Sequence, residues 1–359
     1  MEYNELLKAN NINTLKILDI NGLLREPRTL VPFKNDGGDK SDMIFDLLMD
    51  SSIRRGDGLV ASTVQNESKQ KIKEFVLKNE PINFVFQGFP FKCHNPVETL
   101  RRTPDLGELA TLQRLMDINE TVKQIYPLGV KFTVLTEGTT YLDLFGATKK
   151  EAEVYQKQCN NFVKFVGGEK IIQLVDFLDL IDDKDKFAEL SRLEESLIRE
   201  PEIEQFTPVM MRSMPIIENV AFEDLLSVFG YGKSGANLTD FEKDFKLYIQ
   251  NGAEDLAIRY LAIQKVKKKY DLINSNFPDA LYVSTTAKQD RYSFHPIHRK
   301  TRLYAHHGVP VLGSDKVDIV YFGEIITHPE VYTAVYLEGD IEDVPFYFLK
   351  GKQHIKKQV

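Results

Sequence analysis

The side chains best suited to chemistry lie close together in one short stretch of the chain, residues 84–109 (FVFQGFPFKCHNPVETLRRTPDLGEL). This stretch begins as an apolar run and then places a lysine and two adjacent arginines ahead of two carboxylates that are three positions apart. Cations near the start of a helix can bind an anion, and lysines and carboxylates can transfer protons. The residue types therefore indicate an anion-binding site with acid–base capacity. The residues concerned are Lys92, Arg101, Arg102, Asp105 and Glu108.

Ordinary structural roles compete with this interpretation. Asp105 and Glu108 match the Asp-x-x-Glu form of a capping box, in which the glutamate accepts a hydrogen bond from a free amide at the start of a helix. The two arginines are equally consistent with a solvated loop. Lys92 favours chemistry, because it directly follows the apolar turn Gly88–Phe91, whose rings would partly desolvate its charge. The sequence leaves both interpretations open for the carboxylates and the arginines.

A strand, a helix and a second strand are predicted to position these groups. The run INFVFQ, between Pro81 and Gly88, is typical of a strand buried on both faces. Apolar residues then recur at helical spacing over residues 106–126, and VKFTVLTEG, residues 130–138, alternates as a strand does. In such a unit the crossover is right-handed, and both strands end at the same edge of the sheet, where ligands bind.

Two residues at the end of the second predicted strand, Thr136 and Glu137, should therefore lie near the lysine. We expect Lys92, Glu108 and Glu137 to line one pocket at the carboxyl-terminal edge of the sheet. We also expect Lys92→Ala to abolish activity and to leave the fold intact, because the side chain follows the packed turn and is not part of it.

The rest of the chain supplies further helices and strands. A helix (KKEAEVYQKQCNNFVKFV) and a strand (KIIQLVDFL) precede a mostly helical segment, and from Leu281 a period of two predicts short strands, antiparallel in part. The predicted fold is α/β, with a mixed β-sheet that has a Rossmann-like parallel core, a helical insertion and C-terminal antiparallel strands. We divide the chain into an N-terminal helical region, 1–75, and an α/β catalytic domain, 76–359, with the insertion at about 184–275; one compact domain is the alternative.

Composition argues against several classes of protein. The net charge is −7, from 53 acidic and 46 basic residues, so the chain has no overall field that would attract nucleic acid. No run approaches the roughly 18 apolar residues of a membrane span, and the acidic N-terminus lacks the apolar segment of a signal peptide. Two cysteines, Cys93 and Cys159, cannot build a disulfide framework. We therefore expect a cytoplasmic protein without nucleic-acid or membrane partners.

Three further patterns are interpreted as structural. GYGKSG, residues 230–235, follows a helical pattern and not a strand, so it is not a dinucleotide-binding loop. The basic run at 265–269 is expected to end a helix and to be solvated. Four late histidines fall on predicted strands, where residues adjacent or three apart point to opposite faces, so no metal site is expected. They are His295, His298, His306 and His307.

Several of the motifs, in the order in which they occur, resemble the pyoverdine/dityrosine biosynthesis family, whose bacterial members are isonitrile (isocyanide) synthases. The family pattern runs Phe-Pro-Phe-Lys, then Pro-Asp-x-x-Glu opening a helix, Ile-Tyr-Pro-x-Gly, an acidic Ser-Asp-Gly turn and an aromatic-x-Asp. The resemblance covers residues 80–180 closely and 275–315 loosely. In this chain the motifs stand at Phe89–Asn95, Pro104–Glu108, Ile125–Gly129, Thr136–Gly138 and Tyr141–Asp143.

The resemblance implies an enzyme that condenses the amine of an aromatic amino acid, tyrosine or tryptophan, with ribulose 5-phosphate to form an isonitrile. It implies no metal or redox cofactor, ribulose 5-phosphate being a co-substrate, and a pathway partner, an iron- and 2-oxoglutarate-dependent oxygenase that acts on the product. Such chemistry needs a phosphate clamp, an acid–base pair and an apolar slot. The catalytic residues would be Lys92, Glu108, Glu137 and His307, and the substrate-binding residues Arg101, Arg102, Asp105, Thr136, Asp143 and Lys288.

This chain departs from the family pattern in its second half. Where the family has Ser-Ile-His-Pro, the chain reads Ser-Thr-Thr-Ala at 284–287, so Thr286 replaces the histidine unless His295 is its true equivalent. His307 keeps the late His-Gly-Val context, and Gly308 should let the backbone approach a ligand, so we expect His307 to supply the missing proton transfer. Two alternatives follow: a relative that forms an N-formyl amino acid, as in the dityrosine branch, or a homologue that binds a phosphosugar or an amino acid without catalysis.

Overall fold

The strands of the protein fall into two sheets of five strands each in the computed structural model, counted over the residues that the structure describes. These residues are 7, 12–17, 20–33, 37–55, 61–92, 99–142, 147–213, 238–286, 291–299, 301, 303–314 and 316–351. The strands are β1 (Asn13–Ile17), β2 (Ile82–Gln87), β3 (Val130–Thr136), β4 (Ile172–Asp176), β5 (Leu281–Ser284), β6 (Tyr292–Ser293), β7 (Val309–Leu312), β8 (Val317–Val320), β9 (Tyr332–Leu337) and β10 (Tyr347–Lys350). The α-helices of the described residues are α1 (Lys40–Met49), α2 (Ser62–Lys78), α3 (Leu106–Lys123), α4 (Lys149–Phe165), α5 (Lys184–Glu195), α6 (Glu200–Ser213), α7 (Leu238–Lys269), α8 (Leu272–Asn276) and α9 (Phe322–Thr327).

One sheet is parallel throughout and has the strand order β4-β3-β2-β5-β6. From β2 the chain adds β3 and β4 on one side, and after the helices α5 to α8 it adds β5 and β6 on the other side. The strand order therefore reverses between β2 and β5, and in such sheets ligands bind at the carboxyl-terminal edge beside the reversal. The predicted unit β2–α3–β3 is confirmed, with Ile82 opposite Val130 and Gln87 opposite Leu135.

The second sheet is mixed, with the order β1-β9-β10-β7-β8. The pairs β1–β9 and β10–β7 are parallel, while β9–β10 and β7–β8 are antiparallel. The expectation that residues 1–75 are helical is wrong for β1, whose residues are mostly exposed and pair with a strand at the other end of the chain. A short exposed strand with so remote a partner leaves little local pattern, because strand preference depends on the neighbouring strands.

Helix α3 lies between the two sheets, where it contacts β3 of the parallel sheet and β7 and β8 of the mixed sheet. All of its residues except Glu120 and Lys123 are buried, although many are polar. Buried charges on such a helix need partners, and Asp117 accepts hydrogen bonds from two guanidinium nitrogens of Arg25 at 2.7 and 2.6 Å. The first turn of this buried helix carries the two carboxylates predicted as site residues.

The two faces of the parallel sheet are covered by different helices. On one face Phe84 belongs to the same hydrophobic cluster as Leu112 of α3, and on the other Val85 belongs to a cluster with Val266 of α7. Side chains alternate between the faces along each strand, so Gln87, the last residue of β2, lies on the α7 face with Val85. This alternation determines on which face of the sheet the side chain of each site residue lies.

The α/β fold class predicted from the sequence is confirmed, although the strands form two sheets where one mixed sheet was expected. The described residues between 184 and 276 form α5 to α8 as predicted, and antiparallel pairs occur among the late strands. Residues 214–237, which include the predicted helix at 214–229 and GYGKSG, lie outside the described residues. Two late segments predicted as strands are partly helical: Ala305–His307 forms a 3-10 turn, and Phe322–Thr327 forms α9. Among the described residues we find no helix with the length and apolarity of a membrane span.

Candidate active site

Lys92, Asp105 and Glu108 form a buried cluster at the N-terminal end of α3, which we call the lysine–carboxylate cluster. The Nζ of Lys92 lies 2.5 Å from Oδ2 of Asp105 and 3.2 Å from Oε2 of Glu108. It also donates a hydrogen bond of 3.0 Å to the carbonyl oxygen of Ala305. None of the three charged side chains is more than 2% exposed. The structure thus brings together three of the residues selected from the sequence.

The carboxylates act as helix caps and as ion-pair partners at the same time. Oδ1 of Asp105 accepts a hydrogen bond from the amide of Gly107 at 2.8 Å, and Oε2 of Glu108 accepts one from the amide of Asp105 at 2.9 Å. The bond from the amide of Asp105 to Glu108 is one half of a capping box, and the Asp105 side chain, accepting from the backbone of the third helical residue, is the other half. The other oxygen of Glu108, Oε1, accepts a hydrogen bond of 3.0 Å from the hydroxyl of Tyr155. The capping interpretation is therefore confirmed, and the same two carboxylates also pair with Lys92. Their acid–base role stays a prediction.

Burial and mutual attraction set the protonation of this cluster. Burial alone would lower the pKa of Lys92, but the two carboxylates outweigh it and raise the pKa above its usual value. Burial raises the pKa of Asp105 well above its usual value, with Lys92 opposing the rise and Glu108 adding to it. The lysine is therefore held as a cation, contrary to the expectation that desolvation lowers its pKa for chemistry, while the raised pKa of Asp105 favours its protonated form.

The turn before Lys92 directs the lysine into the protein interior. Phe89 in this turn has a φ of 50°, a left-handed conformation that is costly for a bulky residue and that clusters at functional sites. The turn takes the chain from β2 to the α3 side of the sheet, and Lys92 is 1% exposed. The expectation that Lys92 is not part of the packed structure is therefore wrong.

A short turn at Ala305–His307, which we call the histidine turn, contacts this cluster. Its first carbonyl oxygen is the one that accepts the hydrogen bond from the lysine. Burial, together with the nearby His307 and the lysine, lowers the pKa of His306 well below its usual value, so this imidazole is neutral. The two imidazole rings lie 4.3 Å apart, centre to centre. A Cβ on Gly308 would collide with β8, so this glycine serves packing against a strand and not the approach of a ligand that we expected.

Glu137 belongs to a second group of residues on the α7 face, the Glu137 cluster, formed by Gln87, Glu137, Tyr141 and Lys267. Oε1 of Glu137 accepts a hydrogen bond of 2.8 Å from Nε2 of Gln87 and contacts the Nζ of Lys267. The same Nζ lies 3.2 Å from the hydroxyl of Tyr141 and 3.9 Å from the centre of the Phe177 ring. Burial, followed by the charge of Glu137, raises the pKa of Tyr141 well above its usual value, so its hydroxyl stays protonated.

The expectation that Lys92, Glu108 and Glu137 line one pocket is therefore wrong. The ends of parallel strands fix the edge of the sheet at which a residue lies, but the face depends on side-chain alternation and on the turn that follows. After β2 the turn leads to α3, whereas after β3 the glutamate contacts α7. The loops themselves are adjacent, because a Cβ on Gly138 would collide with the carbonyl oxygen of Pro90.

The two arginines predicted as a phosphate clamp have protein partners. The guanidinium of buried Arg101 lies 2.6 Å from a carboxylate oxygen of Asp340 and donates a hydrogen bond of 3.1 Å to the carbonyl of Val344. Arg102 is exposed and lies 2.6 Å from a carboxylate oxygen of Glu151. The pair therefore connects α3 to the C-terminal region and to α4, and neither guanidinium belongs to the lysine–carboxylate cluster.

The remaining predicted residues belong to neither the lysine–carboxylate cluster nor the Glu137 cluster. The hydroxyl of Thr136 is buried and accepts a hydrogen bond of 3.1 Å from Gln156. Asp143 and Lys288 lie outside the described residues. His295 follows β6, and burial, followed by nearby arginines, lowers its pKa to about 4, so it is a neutral imidazole at physiological pH.

The basic run at 265–269 contains a buried lysine that the sequence-based interpretation missed. Lys267 is 8% exposed, whereas Lys268 and Lys269 are exposed. A signal was present, because Lys267 follows Ile263 by four residues and adjoins the buried Val266, on the apolar stripe of α7. Lys267 also lines a cavity of about 490 Å³ at the edge of the parallel sheet.

Comparison with known proteins relates this site to a family. Residues 72–226 match the family model described as pyoverdine/dityrosine biosynthesis protein. The chain is 32% identical over 101 residues to an L-tryptophan isonitrile synthase of Fischerella ambigua, covering 28% of this chain and 32% of that protein. It is 25% identical over 262 residues to an L-tyrosine isonitrile synthase of Pseudomonas aeruginosa, covering 71% of this chain and 77% of that protein.

The fold comparison agrees with these matches. The crystal structure of the PvcA protein from Pseudomonas aeruginosa superimposes with a TM-score of 0.61 at 20% identity, covering 87% of this chain and 100% of that one. Against the two L-tryptophan isonitrile synthases the matched segment spans only about a third of their length, 32% and 35%. Over residues 72–226 the chain is therefore similar to the pyoverdine/dityrosine biosynthesis family, and its relatives include proteins named isonitrile synthases.

Proposed function

We propose that this protein is an isonitrile synthase that condenses the amine of an aromatic amino acid with ribulose 5-phosphate. The observation that carries the proposal is that the family-matched segment, 72–226, contains the lysine–carboxylate cluster and Glu137. Both groups of residues follow strands of the parallel sheet at its carboxyl-terminal edge, where ligands bind in such sheets. The relatives named L-tryptophan and L-tyrosine isonitrile synthases support this activity.

The proposed reaction needs proton transfers that the described residues can perform. The amine attacks the keto carbon of the sugar, and water leaves to give an imine. Enolisation then removes a proton from a neighbouring carbon, and inorganic phosphate is eliminated. The keto carbon stays on nitrogen as the isonitrile carbon when its bonds to both neighbouring carbons break: C1 leaves as formaldehyde, and C3 to C5 leave as a three-carbon hydroxycarbonyl fragment. The amine and ribulose 5-phosphate thus give isonitrile, water, phosphate and these two fragments, with no external oxidant or reductant. Glu137, paired with Lys267, is the base we propose, and the raised pKa of Asp105 suits a proton donor.

Lys92 and the histidine turn have linked roles in this proposal. The lysine holds Asp105 and the carbonyl of Ala305 through contacts of 2.5 and 3.0 Å, so it fixes the turn that carries His307. His307 lies beside the neutral His306 and is half-buried. We propose that His307 supplies the proton transfer for which the family uses its Ser-Ile-His-Pro histidine.

One observation favours a second candidate function. Thr286 stands where the family has that histidine, and its hydroxyl oxygen lies 2.9 Å from that of Ser284 at the end of β5. A hydroxyl cannot replace an imidazole in proton transfer near neutral pH. The missing histidine therefore suits a homologue that binds a phosphosugar or an amino acid without catalysis. Formation of an N-formyl amino acid, as in the dityrosine branch, is the other alternative, and the chain is also 27% identical over 85 residues to a spore wall maturation protein of Saccharomyces cerevisiae.

The test is direct incubation of the purified protein with ribulose 5-phosphate and each aromatic amino acid in turn. We expect an isonitrile, seen by its infrared absorption and its mass, with tyrosine or tryptophan, and none when the sugar phosphate is omitted. A formamide would favour the N-formyl alternative, and binding without any product would indicate a non-catalytic homologue. If the synthase activity is present, we further propose that an iron- and 2-oxoglutarate-dependent oxygenase acts on the product.

A further inference from the structure

A cavity of about 490 Å³ lies beside the end of β2, where the strand order of the parallel sheet reverses. Its volume is within the range of small-molecule sites, about 300–1,000 Å³. It is lined by residues of α2, α7, α8 and β5 and by Gln87, the last residue of β2. Three of the lining side chains, Gln87, Gln264 and Lys267, belong to the Glu137 cluster or contact it. A ligand in this cavity would therefore lie beside that cluster.

One oxygen of the Glu137 carboxylate is held by its neighbours, and the other is open. Oε1 accepts the hydrogen bond of 2.8 Å from Nε2 of Gln87 and contacts the Nζ of Lys267. Oε2 accepts no hydrogen bond from the residues that the structure describes, and the side chain does not cap the 3-10 turn that follows it. The Glu137 side chain is 16% exposed. A carboxylate with one fixed and one open oxygen is suited to act as a general base.

The amide of Gln87 is itself oriented by a neighbour. Its Oε1 accepts a hydrogen bond of 3.1 Å from the hydroxyl of Tyr282, so its Nε2 is the atom that faces Glu137. A glutamine side chain has one acceptor oxygen and one donor nitrogen, and both make a hydrogen bond in this orientation. The carboxylate is therefore positioned by the parallel sheet, through the last side chain of β2 and a side chain of β5.

Lys267 places a cation at the same point. Its Nζ contacts Oε1 of Glu137 and donates a hydrogen bond of 3.2 Å to the hydroxyl of Tyr141. An ammonium group has three protons, so one remains beyond these two contacts, and Lys267 lines the cavity. The group is shielded from water, because Lys267 is only 8% exposed and the centre of the Phe177 ring lies 3.9 Å from its Nζ. A donor in such surroundings stabilises negative charge on an oxygen more strongly than it would in water.

We propose that this cavity binds an α-hydroxy ketone, with its carbonyl oxygen on Lys267 and the neighbouring C–H bond facing Oε2 of Glu137. In this position the two residues enolise the ketone before any amine is present. Glu137 takes the proton, the electron pair of the C–H bond forms a carbon–carbon double bond, and the carbonyl oxygen carries the negative charge beside Lys267. Return of a solvent proton through Glu137 restores the ketone, so nothing is oxidised or reduced.

The inference rests on the proposed function, which names Glu137 as the base and ribulose 5-phosphate as the ketone. It goes further in two respects. Lys267 becomes a catalytic residue that contacts the substrate, and the protein exchanges protons of the ketone with solvent in the absence of an amino acid. In deuterium oxide the net change is the replacement of a C–H bond by a C–D bond.

The experiment incubates the protein with ribulose 5-phosphate in deuterium oxide, without amino acid, and follows the protons beside the keto carbon by proton NMR. Mass spectrometry counts the deuterium gained, and the same solution without protein gives the background. The variants are Glu137→Gln and Lys267→Met. Lys265→Met is the matched control, because Lys265 lies on the same helix and pairs with Glu202 at 2.8 Å but is not among the described residues that line the cavity. Thermal unfolding of each variant verifies that it is folded.

We expect the wild type to exchange these protons about a hundredfold or more faster than the background, as a positioned general base does. Glu137→Gln should bring the rate close to the background, and Lys267→Met should reduce it about tenfold or more, as loss of a donor to a developing oxyanion does. The control should exchange as the wild type. Because Glu137→Gln keeps the size of the side chain, it tests the inference even if Lys267→Met does not fold.

Exchange by the wild type no faster than the background, or a wild-type rate in folded Glu137→Gln or Lys267→Met, would overturn the inference. The proposed function is scored separately, by isonitrile formation after an aromatic amino acid is added. Exchange that depends on Glu137 and Lys267 without isonitrile formation supports this inference and counts against the synthase. Isonitrile formation by a wild type that shows no exchange without the amino acid does the reverse.

Discussion

Replacement of Lys92 by methionine removes the cation that lies between Asp105 and Glu108 and keeps most of the side-chain volume. The two carboxylates would then remain buried, less than 3% exposed, without the Nζ that lies 2.5 and 3.2 Å from their oxygens. Breaking a buried ion pair by removing one partner costs about 3–5 kcal/mol of unfolding free energy. Since domains are commonly stable by about 5–15 kcal/mol, Lys92→Met should lower the urea midpoint strongly at pH 7.

Part of this loss should be recovered when one carboxylate is neutralised as well. In Lys92→Met/Glu108→Gln the remaining acid, Asp105, no longer faces a second carboxylate, so the double variant should be more stable than Lys92→Met alone. Lys69→Met is the matched control: its Nζ lies 3.2 Å from Asp42, but the pair is exposed, so it should cost less than about 1 kcal/mol.

The measurement is urea unfolding followed by fluorescence or circular dichroism, with the slope checked for two-state behaviour. If Lys92→Met is as stable as Lys69→Met, the buried ion-pair description of the cluster is incorrect. The same conclusion follows if the double variant is no more stable than the single one.

Three further predictions follow from the described contacts. Arg101→Gln should lower the unfolding free energy by about 2–4 kcal/mol, because it leaves Asp340 without its cation. The affinity for ribulose 5-phosphate should not change, and weaker binding would indicate that Arg101 contacts the phosphate after all. Because the pKa of His295 is lowered to about 4 in the folded protein, the unfolded chain binds a proton between pH 7 and pH 4 that the native protein does not. The unfolding free energy of the wild type should therefore fall by roughly 1–3 kcal/mol from pH 7 to pH 4, and His295→Gln should reduce this fall. The same pH dependence in both proteins would contradict the prediction. His307→Ala should reduce kcat by about a hundredfold or more without loss of sugar phosphate binding, while His295→Ala should keep activity; the reverse pattern would favour His295 as the family histidine.

The parallel core could be predicted because its signals are local. The buried run at 82–87, the helical spacing of α3 and the stop at Pro127 each depend on neighbours in sequence. Placement at the carboxyl-terminal edge followed from the crossover rule. Lys92, Asp105 and Glu108 could be selected together because they lie in one short stretch of the sequence. The face of the sheet on which Lys92 lies could not be predicted, because the turn at Phe89 determines that face. The left-handed φ of Phe89 depends on packing and not on local sequence.

The features that were missed depend on remote contacts. Arg101 pairs with Asp340, which is 239 positions away (340 − 101), so the loop around it looks solvated when read alone. Lys267 pairs with Glu137 in the same way, and its place within a basic run favoured a solvated helix end. In the mixed sheet β1 pairs with β9, and the sequence pattern at residues 13–17 does not indicate which strand is its partner. The local sequence indicated the burial of Lys267 but not its partner, and the partners of Arg101 and β1 could not be identified from the sequence around them.

We propose that the keto carbon of ribulose 5-phosphate becomes the isonitrile carbon of the product formed from an aromatic amino acid. The most direct test uses ribulose 5-phosphate isotopically labelled at the keto carbon, incubated with the protein and L-tyrosine or L-tryptophan, and locates the label in the product by carbon NMR and mass spectrometry. We predict that the label appears in the isonitrile carbon and that Glu137→Gln greatly reduces its formation. An isonitrile without the label, a label found only in a formamide, or no labelled product with either amino acid would contradict the claim.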